Sequence, residues 1–154
     1  MQMRVIDDFH GEYHFLSNFY VHPLQYNGMT WRTSEHAFQA AKAADPVEMM
    51  AIKMAPTPGR AKKLGGKEYC RKREDWEDVK IDVMRGVVKS KFSDPELAAK
   101  LLATGDAELI EGNTWYDTVW GQVRDEDGNW VGENHLGKIL MEVRKELATK
   151  GGTL

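Results

Sequence analysis

Proline and glycine divide this chain into separate helical segments, and their positions constrain its fold more than any other feature. Asp45-Pro46 and Asp94-Pro95 each place a helix-capping residue before a proline that fits the first helical turn. Gly65-Gly66 and Gly105 follow helical runs, at positions where glycine is typical of a helix end. The chain is therefore expected to form several separate helices.

Apolar spacing and capping residues locate the helices between these breaks. Thr33 or Ser34 is expected to cap the first helix, and Leu97, Leu101 and Leu102 are expected to face inward from the fifth. The last helix carries a regular apolar stripe. The helices are expected over residues 34–44, 46–54, 59–64, 76–92, 95–104 and from about 134 onward.

Short β-type runs lie mainly before the first helix. "RVIDDF" and "YHFLSNF" predict strands, and Asn27-Gly28 between two apolar segments predicts a hairpin. Further along, "AELIEG" predicts a short strand and Asp127-Gly128 a second hairpin turn. The expected fold is α+β: a mostly helical single domain over residues 1–154, with a small β-sheet built chiefly from the N-terminal third.

Length, charge and cysteine content limit the class of protein. A chain of 154 residues is long enough to bury a core, and its net charge of −3 does not indicate a general nucleic-acid binder. No run approaches the roughly 20 apolar residues of a membrane span, and the N-terminus lacks the apolar segment of a secretory signal. A single cysteine, Cys70, excludes an internal disulfide and is expected to be structural. A cytoplasmic protein without a membrane partner is expected, and its oligomeric state is left open.

The first helix contains the most informative carboxylate. Glu35, Phe38, Gln39 and Lys42 follow helical spacing and share one face, while alanines supply small surfaces elsewhere. Such a helix can be buried, and its few polar residues then face each other or a cleft. Glu35 either stabilises the positive helix N-terminus, an effect of about 0.3–1 kcal/mol, or faces a site. Position alone leaves both readings open.

The histidines do not form a metal-binding pattern. His36 adjoins Glu35 but points to another face, and no second histidine follows at ligand spacing, so no zinc site is expected. "DEDGNW" resembles the start of a calcium loop, but Trp130 occupies the position of the required glycine. His36 is expected to be a packing residue or to support a neighbouring site residue.

Two further groups combine aromatic and charged side chains. Trp76 and Lys80 are one helical turn apart, which suits either a core tryptophan with a peripheral lysine or a site for a flat ring and a phosphate. The loop "NTWYDTVWG" places Asp117 among Trp115, Tyr116 and Trp120. These aromatic side chains either sandwich a heterocycle or pack under a long loop.

Long motifs follow one another over nearly the whole chain. They are "FLSNF" (15–19), "W-x-TSEHAFQAAK" (31–42), "DWEDVKIDVM" (75–84), "LLATG" and "LIE" (101–111), "YDTVWG" (116–121) and "NHLGKILMEVR" (134–144). NADAR proteins carry these motifs in the same order. From about Asp7 to Leu147 the chain therefore resembles the NADAR family.

The resemblance implies hydrolysis of an N-glycosidic bond. Some members of this family cleave ribosylamine phosphates that arise early in riboflavin synthesis, and others remove ADP-ribose from guanine in DNA. The first activity, on a small ribosyl phosphate, is the leading expectation, and ADP-ribosylated DNA is the alternative partner. The strongly basic run over residues 60–73 would give that alternative a phosphate-binding surface. A non-catalytic ADP-ribose or nucleotide-binding module is the third hypothesis.

The same resemblance implies roles for particular residues. Glu35 is the first candidate for the catalytic carboxylate, and Asp117 is the second. Trp76 and Trp120 would stack on the base, and Lys80 would hold phosphate or a ribose hydroxyl. The weaker hydrogen-bonding candidates are Asn18 and Asn134. The pattern requires neither a metal nor an organic cofactor.

One segment departs from the family pattern. Between "WG" and "NHLG" the chain carries "QVRDEDGNWVGE", which is richer in charged and apolar residues than the glycine-rich stretch expected there. If this segment covers the site, substrate choice differs from that of the family members it resembles. The resemblance therefore indicates the type of reaction more firmly than the substrate.

Overall fold

A computed structural model describes residues 4–152, which form two compact units. The central unit comprises residues 18–91, and the terminal unit comprises residues 4–17 and 92–152. The strands are β1 (Val5–Ile6), β2 (Leu24–Tyr26), β3 (Met29–Trp31), β4 (Glu108–Leu109), β5 (Val123–Arg124) and β6 (Trp130–Val131). The helices are α1 (Ser34–Lys42), α2 (Pro46–Lys53), α3 (Pro58–Leu64), α4 (Trp76–Lys91), α5 (Pro95–Ala103) and α6 (His135–Gly152), with a 3-10 helix over Gly11–Leu16. The expectation that residues 1–154 form a single domain stays a prediction.

The central unit is organised around α1. This helix packs against α2, α3, α4 and β3, so residues over most of its circumference are buried. Thr33 caps it by accepting a hydrogen bond from the amide of His36, as predicted. The predicted hairpin is also present, because β2 and β3 pair in antiparallel register across Asn27 and Gly28, both of which have positive φ angles.

The terminal unit brings together segments that are far apart in the sequence. Strand β1 pairs in parallel with β4, and β4 packs against α6, which also contacts α5. Strands β5 and β6 form an antiparallel hairpin, with the predicted turn at Asp127-Gly128 between them. Within residues 4–152, no helix has the length and apolar content needed to cross a membrane.

The α+β, mostly helical fold is confirmed, with two corrections. "YHFLSNF" is not a strand: Gly11 turns the chain with φ 60°, and Phe15 and Leu16 are both buried although consecutive strand residues face opposite sides. Leu102 does not face inward and is 39% exposed, because α5 buries the face that Leu97 and Leu101 share. The strands form three two-stranded pairs, and β4, β5 and β6 lie outside the N-terminal third.

A buried lysine at the end of α4 makes the stability of the central unit depend on pH. The Lys91 ammonium lies 5.5 Å from the Tyr20 ring centroid, and burial lowers its pKa from 10.5 to about 7. Between these two values the unfolded chain binds a proton that the folded chain does not, so the free energy of unfolding rises with pH over this range. We expect Lys91→Met to raise the melting temperature at pH 7, by roughly 3 °C for each kcal/mol regained.

Thermal unfolding followed by circular dichroism at pH 7 and pH 10 tests this expectation. The difference between variant and parent should shrink at pH 10, where the unfolded lysine begins to lose its proton as well. Lys89→Met, on the exposed side of the same helix, is the matched control. A Lys91→Met protein that melts below the parent at both pH values would contradict the expectation.

Candidate active site

Glu35 is a buried carboxylate in the first turn of α1. The residue is only 7% exposed, and its backbone N–H donates to the carbonyl oxygen of Asn18 at 3.0 Å. Thr33 satisfies the next amide of the helix, that of His36, at 3.1 Å. The positive end of the helix dipole favours the ionised form of a carboxylate in this position. Both roles considered for Glu35 are compatible with this setting.

Gln39, one helical turn after Glu35, contacts the Glu35 carboxylate directly. Its Nε2 donates to Glu35 Oε1 at 3.2 Å, while its own Oε1 is buried with no hydrogen-bond partner among the described residues. Gly65 covers this amide so closely that a Cβ there would lie 2.0 Å from Gln39 Oε1. Residue 65 can approach Gln39 this closely because it has no side chain.

Lys42 continues the same polar row along α1. Its Nζ donates to the carbonyl oxygen of Gly65 at 3.2 Å and lies 6.0 Å from the Trp76 ring centroid. Burial lowers the pKa of the Lys42 ammonium, and the negative charge of Glu35 partly offsets that effect. Glu35, Gln39 and Lys42 thus form a row of acid, amide and ammonium groups, which we call the α1 polar row.

The other predicted residues of the central unit lie on neighbouring elements. Trp76 is 4% exposed and packs against Phe38, with ring centroids 5.1 Å apart, so little of its surface is left for a base. Lys80 Nζ donates to Glu77 Oε1 at 2.9 Å on the outer side of α4. Asn18 contacts α1 through its backbone carbonyl, and its side-chain Nδ2 donates to Met84 Sδ at 3.4 Å.

His36 is a packing residue, as expected. Its Nε2 is 2.9 Å from the carbonyl oxygen of Ala55, and its Nδ1 is 2.8 Å from Thr33 Oγ1. Because a carbonyl oxygen only accepts, the proton lies on Nε2 and the Thr33 hydroxyl donates to Nδ1. Burial lowers the pKa of this imidazole, so the neutral ring joins α1 to the segment after α2.

In the terminal unit, Asp117 organises the loop that contains it. Its Oδ1 accepts hydrogen bonds from the amides of Val119 at 3.1 Å and Trp120 at 2.9 Å. Asn113 holds the other side of the loop, because its Oδ1 accepts from the Asp117 amide and its Nδ2 donates to the Asp117 carbonyl. Among residues 4–152, no hydrogen bond engages Asp117 Oδ2, so this oxygen can still accept a hydrogen bond.

Trp120 and Asn134 occupy different environments in the same unit. Trp120 is half-buried and meets the His135 ring edge-on at 6.1 Å. Asn134 is buried, with Oδ1 accepting from the amide of Glu111 at 3.0 Å and Nδ2 donating to the carbonyl of Leu109 at 2.9 Å. The Asn134 side chain therefore joins the end of β4 to the start of α6.

Sequence reasoning gave no role to three residues that contact predicted ones or their neighbours: Gln39 and Gly65 in the central unit, and Asn113 in the terminal unit. The helical spacing placed Gln39 on the face of Glu35 but gave no reason to assign it a role. Gly65 was interpreted only as a helix stop, because its approach to Gln39 depends on the packing of α3 against α1. For Asn113, the local signal was its position four residues before Asp117. Within the part of the chain that the structure describes, no group of three His, Cys, Asp or Glu residues is arranged to hold a metal ion.

Comparisons with known proteins place this arrangement in context. The NADAR domain family matches residues 7–148. N-glycosidase YbiA of Escherichia coli (strain K12) is 41% identical over 138 residues, which cover 89% of this chain and 83% of that protein. An N-glycosidase of Nostoc punctiforme is 38% identical over 139 residues, covering 88% of this chain and 86% of its own length.

A longer relative and a solved structure extend the comparison. A riboflavin biosynthesis protein of Vibrio vulnificus is 39% identical over 142 residues, which make up 92% of this chain but 36% of that protein. The NMR structure of the E. coli protein YbiA matches with a TM-score of 0.81 and 37% identity. The match covers 98% of this chain and 89% of the YbiA chain.

Proposed function

This chain belongs to the NADAR domain family, and from that premise we propose that it hydrolyses a phosphorylated ribosylamine of early riboflavin synthesis. The protein is an N-glycosidase, a hydrolase acting on N-glycosyl bonds. The proposed substrate is supported by the names of relatives that take part in riboflavin biosynthesis. The third hypothesis, a non-catalytic binding module, is set aside because the protein is an enzyme.

The α1 polar row is the observation that supports the chemistry. Hydrolysis of a ribosyl C–N bond develops positive charge on the sugar ring, and a carboxylate stabilises that charge or activates the attacking water. Glu35 is suited to this work because it is buried, lies at a helix N-terminus and is oriented by the Gln39 amide. A carboxylate held in a water-poor setting stabilises a developing cation more strongly than one in bulk water.

The charges beside Glu35 suit a substrate that carries phosphate. Lys42 is a partly buried ammonium one helical turn beyond Gln39; burial lowers its pKa, and the negative charge of Glu35 offsets part of that effect. Lys80, the residue predicted to hold phosphate, is paired with Glu77 at the surface and would have to leave that partner. We assign the phosphate to Lys42 or Lys80, and the stacking roles of Trp76 and Trp120 stay predictions.

ADP-ribosylated guanine in DNA remains the second candidate substrate. It is favoured by the basic run of the central unit, in which Arg60, Lys62, Lys63, Lys67, Arg71 and Lys72 are all exposed. Exposed lysines and arginines provide the salt-dependent attraction that nucleic-acid binding requires. The net charge of −3 weighs against a protein whose whole surface attracts DNA.

Separate rate measurements on the two substrates test the proposal. The protein is incubated separately with a ribosylaminopyrimidine phosphate and with an oligonucleotide carrying ADP-ribosylated guanine, and the released ribose phosphate or ADP-ribose is quantified. We expect kcat/KM to be at least about 100-fold higher for the ribosylamine, a difference of about 3 kcal/mol in transition-state binding. A preference of the same size for the oligonucleotide would assign the second function, and turnover of neither would overturn both.

A further inference from the structure

A separate cleft of about 550 Å³ opens in the terminal unit. The loop over residues 113–116 forms one part of it, and the β5–β6 hairpin together with residues 7–10 forms another. Its aromatic lining consists of Trp115, Tyr116 and Trp130, and its charged or titratable lining of Asp7, Asp8, His10 and Arg124. Neither the catalytic carboxylate Glu35 nor any other member of the α1 polar row lines this cleft.

The aromatic side chains of this cleft are presented to solvent on a fixed backbone. Tyr116 is 85% exposed and has φ 64°, a left-handed conformation that is unfavourable for a bulky residue. Trp115, beside it, is 51% exposed. The hydrogen bonds between Asn113 and Asp117 on either side hold the loop in this form. Backbone strain that is maintained in this way is characteristic of functional positions.

The polar groups of the cleft offer hydrogen-bond acceptors to a ligand. Arg124 is already engaged: its guanidinium lies 4.0 Å from the Trp130 ring centroid and donates to the Gly128 carbonyl and to Asp7 Oδ2. Trp130 Nε1 also donates to Asp7 Oδ2, and Asp8 Oδ1 is 2.5 Å from His10 Nδ1. Among residues 4–152, no hydrogen bond uses Asp7 Oδ1 or Asp8 Oδ2. The two remaining carboxylate oxygens repel a phosphate and attract N–H groups.

From these observations we propose that the cleft binds a planar, uncharged heterocycle that presents a ring N–H beside an exocyclic amine. Guanine has this edge, and its two adjacent N–H donors require two acceptor oxygens. Tyr116 and Trp115 supply the stacking surface, and the two remaining carboxylate oxygens, Asp7 Oδ1 and Asp8 Oδ2, accept the hydrogen bonds. Val123, Arg124 and Trp130 come from the segment that departs from the pattern expected of the family. This inference is independent of the proposed substrate.

Calorimetric titration with 9-ethylguanine tests the site, because this probe contains no glycosidic bond and cannot be hydrolysed. We expect saturable binding, and at least about 10-fold weaker binding of 9-ethylhypoxanthine, which lacks the amine; one good bidentate contact to a base edge accounts for such a factor. The substitution Asp8→Asn should weaken the binding of 9-ethylguanine to a similar extent. Tyr69→Ala, at an exposed tyrosine of the central unit, should leave binding unchanged.

Tyr116→Gly separates loss of the ring from loss of the fold. Glycine adopts φ 64° without strain, so this variant should melt at or above the temperature of the parent. It should nevertheless bind 9-ethylguanine at least about 10-fold more weakly, because the stacking surface is gone. Equal binding by Tyr116→Gly, tighter binding of guanosine monophosphate than of 9-ethylguanine, or no heat at millimolar probe would each overturn the proposal. Absence of ribosylamine hydrolysis alone would leave it intact.

Discussion

Replacing Glu35 with glutamine is expected to lower kcat for N-glycosyl hydrolysis by about 1000-fold or more, within the range for removal of a charged group from the transition state. Glutamine matches the shape of glutamate and keeps an oxygen that accepts from Gln39 Nε2. The negative charge, however, is lost. Binding of substrate should change less than turnover, because the sugar becomes cationic only as the C–N bond breaks. Initial rates over a range of substrate concentrations separate kcat from KM.

Two further variants sharpen this experiment. Glu126→Gln changes an exposed carboxylate of the β5–β6 turn and should retain full activity. Asp117→Asn keeps an oxygen for the amides of Val119 and Trp120 but removes the charge, so a large fall in kcat would support the role of second carboxylate. If Glu35→Gln remains within about 3-fold of the parent, which is less than 1 kcal/mol of barrier, Glu35 has no part in the chemistry.

The substitution Gly137→Ala is expected to lower the free energy of unfolding strongly. A Cβ at residue 137 would lie 2.1 Å from the carbonyl oxygen of Leu109 and 2.4 Å from Asn134 Nδ2. Since the first of these atoms belongs to the backbone of β4, rotation of a side chain cannot relieve the clash. We expect a loss of about 3 kcal/mol, the upper end of the range for overpacked sites, and a melting temperature lower by about 10 °C.

Urea unfolding monitored by tryptophan fluorescence measures this loss directly. Gly151→Ala provides the matched control, because residue 151 lies in the same helix and a Cβ there meets nothing within 4 Å. That variant should be as stable as the parent or slightly more so, given the higher helix propensity of alanine. A Gly137→Ala protein with an unchanged midpoint would mean that β4 and α6 separate easily, contrary to the packing described.

Local sequence signals predicted the starts of α1, α2, α3 and α5 because a neighbouring side chain caps each of them. Thr33, Asp45, Thr57 and Asp94 all accept a hydrogen bond from an amide two or three positions ahead, and such caps are visible in the sequence. The parallel pairing of β1 with β4 joins residues about a hundred positions apart and has no local signal. The 3-10 helix was missed because short apolar runs do not distinguish a strand from a tight helical turn.

In the candidate site, the contacts within α1 were predictable from the sequence, and the contacts between elements were not. Helical spacing placed Glu35, Gln39 and Lys42 on one face, and the contacts among them follow from that spacing. Nothing in the local sequence indicated that Gly65 closes over Gln39, because that approach requires α3 to be packed in place. The burial of Trp76 was foreseen as one of two alternatives, and only the packed helix pair distinguishes them.

The Asn134 side chain has a consequence for how this protein can change over time. By bonding the backbone of Leu109, 25 positions earlier, it closes the intervening chain into a loop whose two ends are fixed. That loop contains Asp117, the exposed pair Trp115 and Tyr116, and the whole β5–β6 hairpin. Insertions and substitutions within a loop with fixed ends leave the surrounding core largely undisturbed. Exposed positions of this loop, such as Trp115 and Tyr116, can therefore change without altering the packing of β4 against α6.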